Sequence, residues 1–175
     1  IRAIFKDNLY PILIDEEGGR VSRLRNFIES SNLTASYFGN LYKKNKKKFN
    51  HYYKIYIDQI SYLLNIIGLN INTVPVLDLK RFKTSSIIGD RSYSRNSKIV
   101  SKIGDICISS FHKNNIACVI KHIPGHGITN IDSHKRLPVI NKSTDYLFKN
   151  DFFPFKKTKS LFAMTAHIIF KKQDP

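Results

Sequence analysis

Apolar residues fall along the chain in two alternating rhythms. Short unbroken runs, "YPILID" (10–15), "LNINTVPVLDL" (69–79), "IACVI" (116–120) and "SLFAMTAHIIF" (160–170), have the length and β-branched content of buried strands. Between them apolar positions recur every three or four residues, as on one face of a helix. Tyr52, Tyr53, Tyr56, Ile60, Leu63, Leu64 and Ile67 mark a long helix from Phe49, which Gly68 is suited to close. Ile99, Ile103, Ile106, Cys107 and Phe111 mark another, with Asn96 as its cap and Asn114–Asn115 as its end. "TDYLFKNDFFPF" (144–155) reads as a short helix interrupted at Pro154.

Strand and helix in alternation predict an α/β protein with a parallel sheet, because parallel neighbours need a covering crossover. Apolar runs without polar alternation imply burial on both faces. Asp15, Asp78, Lys121 with His122, and His167 each close or follow a strand run. Polar groups gathered at strand carboxyl ends are how β/α barrels and open doubly wound sheets build their sites.

Composition narrows the partners. No apolar run approaches the ~20 residues that span a bilayer, and "IRAIFKDNLY" lacks the order of a signal peptide. Neither of the two cysteines, Cys107 and Cys118, has metal-ligand spacing to the other; both read as reduced core residues of a reducing compartment. The net charge of +16 would suit a polyanion. The lysines, however, are scattered among asparagines and isoleucines, as a compositional bias would leave them. Only "KKNKKK" (43–48) is dense, and it reads as a solvated helix start in preference to a phosphate patch between Tyr42 and Phe49.

The richest stretch is "KHIPGHGITNIDSH" (121–134). A phosphate loop would need a lysine and a serine or threonine after its glycines, which "PGHGITN" lacks. A metal could draw on His122, His126, Asp132 and His134, but Pro124 and Gly125 break the helix that would place the first two on one face. An acid/base centre is the third alternative: Asp132 and His134, two apart in an extended loop, project to one side, so the carboxylate can orient and charge-stabilise the imidazole. Hydrogen bonding within a rigid loop would also account for any one of these histidines alone.

"IDEEGGRVSRL", "PVLDL" followed by "IIGDRSYS", "KHIPGHGITNIDSHKRLPVI" and "FAMTAH" together resemble the family 3 glycoside hydrolases, in particular their bacterial β-N-acetylglucosaminidase branch. The resemblance implies a (β/α)8 barrel of TIM type, of which residues 1–175 supply about half as part of one domain, since a whole barrel takes about 250 residues. It implies a retaining enzyme that removes terminal N-acetylglucosamine from muropeptides during cell-wall recycling in the cytoplasm. The saccharide is its partner, with no nucleic acid, membrane, metal or cofactor required. His134 would be the acid/base and Asp132 its orienting partner. Lys121 and His122 would bind sugar hydroxyls and the acetamido region, Asp15 would accept from hydroxyls, and Arg23 and Arg91 would donate to them. Thr165 and His167 are lesser candidates, His167 as site lining alone. Glu16 stands where relatives carry an uncharged residue or histidine, which affects the expected sugar contacts.

The family's nucleophile, an aspartate in a motif resembling S-D-D-L after the "AH" segment, has no counterpart among these 175 residues. These residues alone are therefore expected to lack hydrolase activity, and the edges of an unclosed barrel to favour association. A sugar-binding remnant without turnover is the alternative; nucleic-acid binding through the basic surface lacks a supporting motif.

Overall fold

The computed structural model describes residues 1–81, 87–129 and 136–173. After a single turn of helix, α1 (Arg2–Phe5), the chain enters β1 (Leu13–Ile14), then α2 (Ala35–Lys44), α3 (Lys46–Ile66), β2 (Ile71–Asn72), α4 (Ser97–Lys113) and β3 (Ala117–Ile123). It ends with β4 (Val139–Ile140), α5 (Thr144–Lys149), α6 (Phe153–Lys157), β5 (Phe162–Thr165) and β6 (Ile169–Phe170). The main sheet runs β1-β2-β3-β5 with every pair parallel, and β4 and β6 form a separate parallel pair. The strand order follows chain order with helical crossovers, which is the winding of a β/α barrel.

The core lies between this sheet and α3 and α4. On α3 the buried stripe is Phe49, Tyr53, Tyr56, Ile57, Ile60 and Leu64, continued on α4 by Val100, Ile103, Cys107 and Phe111. Tyr52 and Ile67, expected on the α3 stripe, point outward at 50% and 54% exposure. Helical spacing alone could not separate them from residues one position away. Asn96 caps α4 by accepting from the Lys98 and Ile99 amides, and Asn115 takes the left-handed conformation (φ 61°) that ends it. Both cysteines are buried and unpaired.

Three segments depart from expectation, and the lysine run keeps to it as a solvated helix start. The strand expected over 69–79 pairs regularly only at Ile71–Asn72, because Pro75 has no N–H to give the ladder. The line is taken up again where Val76 bridges Lys121 and Leu77 N–H donates to the Lys121 carbonyl at 2.8 Å. The lysine run straddles two helices: Asn45 closes α2 and caps α3 through its side chain, the lysines are exposed and Phe49 is fully buried, out of reach of any stacked base. Pro154 opens α6 and does not interrupt a longer helix, since an N-terminal turn has no need of its missing N–H. The run 160–170 divides between two sheets, β5 on the main one and β6 beside β4, with Ala166–Ile168 crossing between them.

Candidate active site

Strand carboxyl ends set the geometry. Past Ile14 the chain leaves the ladder, and the Asn72 side chain takes over the pairing: its Oδ1 accepts from Glu16 N–H at 3.1 Å and its Nδ2 donates to the Glu16 carbonyl at 2.9 Å. This holds Asp15 and Glu17 toward the end of β3, where Lys121 emerges almost wholly buried. Lys121 Nζ lies 2.7 Å from Asp15 Oδ1, 2.6 Å from Glu17 Oε1 and 2.9 Å from Thr73 Oγ1. An ammonium has three protons, so these partners account for all of them. Thr73 also donates to Asp15.

Glu17 is clasped from the other side by Arg91, whose Nε and Nη2 donate to its two oxygens at 2.7 and 2.8 Å while Nη1 reaches the Ile87 carbonyl. Burial opposes ionisation of Glu17, but the hydrogen bond from Arg91 and the neighbouring cations outweigh it and hold the carboxyl below its usual range. Asp15 is also lowered: partial burial opposes ionisation, and the hydrogen bonds from Lys121 and Thr73 prevail. Its side chain keeps 42% of its surface open, so one carboxylate edge remains available to a ligand.

His122, next along β3, places Nδ1 2.6 Å from Asp78 Oδ2, and Asp78 Oδ1 accepts from the His126 backbone N–H at 2.6 Å. Asp78 is fully buried; burial disfavours its charge, yet the His122 hydrogen bond holds it below the ordinary carboxylate range. An ionised carboxylate only accepts, so Nδ1 carries the proton and Nε2 is the nitrogen left for the pocket. Burial lowers the affinity of the His126 ring for a proton.

These groups line one pocket of about 350 Å³. Of the residues predicted to bind substrate, Asp15, Arg23, Arg91, Lys121 and His122 all lie on it, with Thr165 and His167 on the β5 side. Their availability differs. Arg23 is exposed and its guanidinium makes no hydrogen bond among the described residues, whereas Lys121 and Arg91 are committed to carboxylates. Glu16 is off the pocket. Its Oε2 accepts from Ser22 Oγ, Arg23 N–H and Leu24 N–H at 3.1, 2.6 and 3.0 Å, so it holds the turn that presents Arg23. Asp132 and His134 lie outside the described residues.

Glu17 and Thr73 carry no role in the sequence reading, and Asp78 appears there only as a strand-end residue. The signal available for Glu17 was its place one residue past Glu16 in "EEGG", on the same side of an extended chain as Asp15. Among the described residues no group of three or more histidine, cysteine or acidic side chains is placed to hold a metal ion, and no helix is long and apolar enough to cross a membrane.

The fold and the pocket define a segment of a TIM-type α/β barrel with its polar site at the strand carboxyl ends. Residues 10–175 match the glycosyl hydrolase family 3 N-terminal domain, and the chain belongs to that family. It is similar to beta-hexosaminidase A of Pseudoalteromonas piscicida, at 32% identity over 93% of this chain and 27% of that protein. It is also similar to beta-hexosaminidase of Thioalkalivibrio sulfidiphilus, at 31% over 94% of this chain and 47% of that one. Native NagZ from Neisseria gonorrhoeae superposes with a TM-score of 0.82 at 29% identity, covering 94% of this chain and 48% of that one. The same protein in complex with N-trifluoroacetyl-D-glucosamine gives 0.77 at 28%, covering 91% of this chain and 48% of that one. The chain spans about half the length of most of these relatives, so about half a barrel is present.

Proposed function

We propose that the whole protein to which this chain belongs is a retaining exo-β-N-acetylglucosaminidase, acting on N-acetylglucosamine at the end of muropeptides in cytoplasmic cell-wall recycling. The observation that carries this reading is the pocket at the ends of β1 and β3. It offers a charged acceptor edge on Asp15, a free guanidinium on Arg23 and the oriented Nε2 of His122, a mixture suited to sugar hydroxyls and an acetamido group. The names of the relatives and the glucosamine derivative bound in one of them support it.

In this reading Lys121 and Arg91 act by holding Asp15 and Glu17 in place for the sugar. His134 protonates the departing oxygen and then activates water, with Asp132 orienting its ring; a carboxylate nucleophile absent from these residues forms the glycosyl-enzyme intermediate. No cofactor takes part.

The test is hydrolysis of aryl β-N-acetylglucosaminide and β-glucoside by the whole natural protein, with product stereochemistry followed by proton NMR. The β-anomer of N-acetylglucosamine should appear first, with the glucoside turned over at least about a hundredfold more slowly. First appearance of the α-anomer would overturn the retaining route. Saccharide binding without any turnover would establish a binding-only remnant. The 175-residue chain alone should show no hydrolysis.

A further inference from the structure

The histidine loop leaves β3 through a slot whose walls come from distant parts of the chain. One wall is Leu79–Arg81, where the second strand line ends; the other is Asp151, between α5 and α6. Gly125 runs against Asp151. A Cβ at this position would sit 3.0 Å from the Asp151 Cβ and 3.1 Å from its carbonyl oxygen, and the φ of 140° is one that side chains rarely adopt. Gly127 runs against the opposite wall, where a Cβ would collide with the Leu79 carbonyl. The loop therefore passes on two glycines because neither wall leaves room for a side chain.

The walls are joined by one ion pair. Arg81 Nη2 donates to Asp151 Oδ2 at 2.6 Å across 70 residues of sequence, with the Asp151 side chain wholly buried and that of Arg81 23% exposed. The Tyr146 ring backs the guanidinium at 6.0 Å. Neither charged residue lines the sugar-sized pocket. Arg81 Nε and Asp151 Oδ1 are buried without a partner among the described residues, which makes the pair a poor device for stability alone. What the pair does achieve is a fixed width for the slot, directly beside the Asp78 carboxylate that receives His126 N–H.

We propose that Arg81 and Asp151 are positioning residues that clamp the root of the histidine loop and so set where its acid/base side chains meet the sugar. The proposal rests on the functional reading above. It adds to that reading two residues that touch no substrate and act through Gly125–Thr129.

The experiment uses the whole natural enzyme with Arg81→Met, Arg81→Lys and Asp151→Asn, assayed on two β-N-acetylglucosaminides. One carries a nitrophenol leaving group, which departs with little protonation, and the other a sugar alcohol, which needs a proton. The clamp predicts a fall in kcat of at least about tenfold on the second substrate and under about threefold on the first, with KM within about twofold and partial recovery in Arg81→Lys. Equal losses on both substrates, or a change in KM alone, would overturn it. His134→Ala is the separate control on the acid/base reading and should show the same contrast more strongly; if it shows none, that reading fails. The clamp is then decided by amide exchange over residues 125–129, which should lose protection in the variants while α3 and α4 keep theirs. Unchanged protection would sink it. Should Arg81→Met not accumulate as folded protein, the isosteric Asp151→Asn carries the test.

Discussion

The two ends of the sheet are built to different standards. Around β1, β2 and β3 a continuous apolar core backs the strands, with Ile57, Ile60, Leu64, Leu77, Ile103 and Ile116 all but sealed from solvent. The carboxylates above that core, Asp15, Glu17 and Asp78, each have a cation or a histidine within hydrogen-bond reach. Around β4, β5 and β6 the buried cluster among the described residues is Ile140, Leu147 and Phe170, with Ile128, Tyr146, Phe152 and Ile168 packed at its margin. Leu137, Val139, Leu161, Phe162 and Ile169 show large apolar surfaces, and among the described residues β5, like β1 at the other edge, pairs on one side only. The ionic cluster thus sits over the thickly packed part, while the thinly covered part supplies Met164, Thr165, Ala166 and His167 to the same pocket. A carboxylate taken from water is tolerated only while its partner stays in place, over the thick core and equally at Asp151 beside the small cluster.

The strongest way to break this contrast is Lys121→Met. Removing the cation leaves Asp15 and Glu17 facing each other, which should lower stability by about 3–5 kcal/mol, as loss of one partner of a buried pair does. Urea denaturation reads the effect, and a loss below about 1 kcal/mol would mean that the ionic cluster is dispensable to the packed half. A paired truncation comes next. Ile60→Ala in the large core should cost about 3–4 kcal/mol, but Leu147→Ala in the small cluster only about 2 kcal/mol, because a thinly covered site collapses around the gap. Equal costs would remove the distinction.

Acid sharpens it further. Asp15, Glu17 and Asp78 are held below their ordinary values, 3.8 for the aspartates and 4.5 for Glu17: burial opposes this, and cationic or histidine partners dominate. The folded state therefore gives up these protons more readily than the unfolded chain, so the stabilisation is complete above 4.5 and is lost as pH falls through the lowered values. Asp151 has the opposite sign: burial raises its value despite Arg81, so its protonated form stabilises the fold below 3.8 and that contribution is lost as pH rises through the raised value. Denaturation midpoints taken from about pH 6 down to about pH 3 should fall, with the packed half exchanging its amides first among the changes. A flat profile would contradict the lowered carboxylates. The smallest effect is expected of Glu16→Gln, about 1 kcal/mol, because one amide oxygen replaces the carboxylate that receives Ser22, Arg23 and Leu24. KM should rise with it through displacement of Arg23, and an unchanged KM would separate the turn from the sugar site.

The winding, the family and half of the residues that line the pocket were legible in the sequence alone. Unbroken apolar runs with polar residues at their ends predict parallel strands carrying a site, and Asp15, Arg23, Arg91, Lys121 and His122 do meet on one pocket. Helix ends marked by Asn96 and Asn115 were legible too, since a cap depends on neighbours within four residues. How the charges are shared follows from long-range packing. That Lys121 spends its protons on Asp15, Glu17 and Thr73, that Asp78 fixes the His122 proton, and that Arg81 meets Asp151 across 70 residues depend on distances between strands that no local pattern carries. The same holds for the division of 160–170 between two sheets. Apolar periodicity records how much surface a segment must bury, whereas the neighbour that buries it, and the counter-charge that makes a buried charge tolerable, are chosen by the packing of the whole chain.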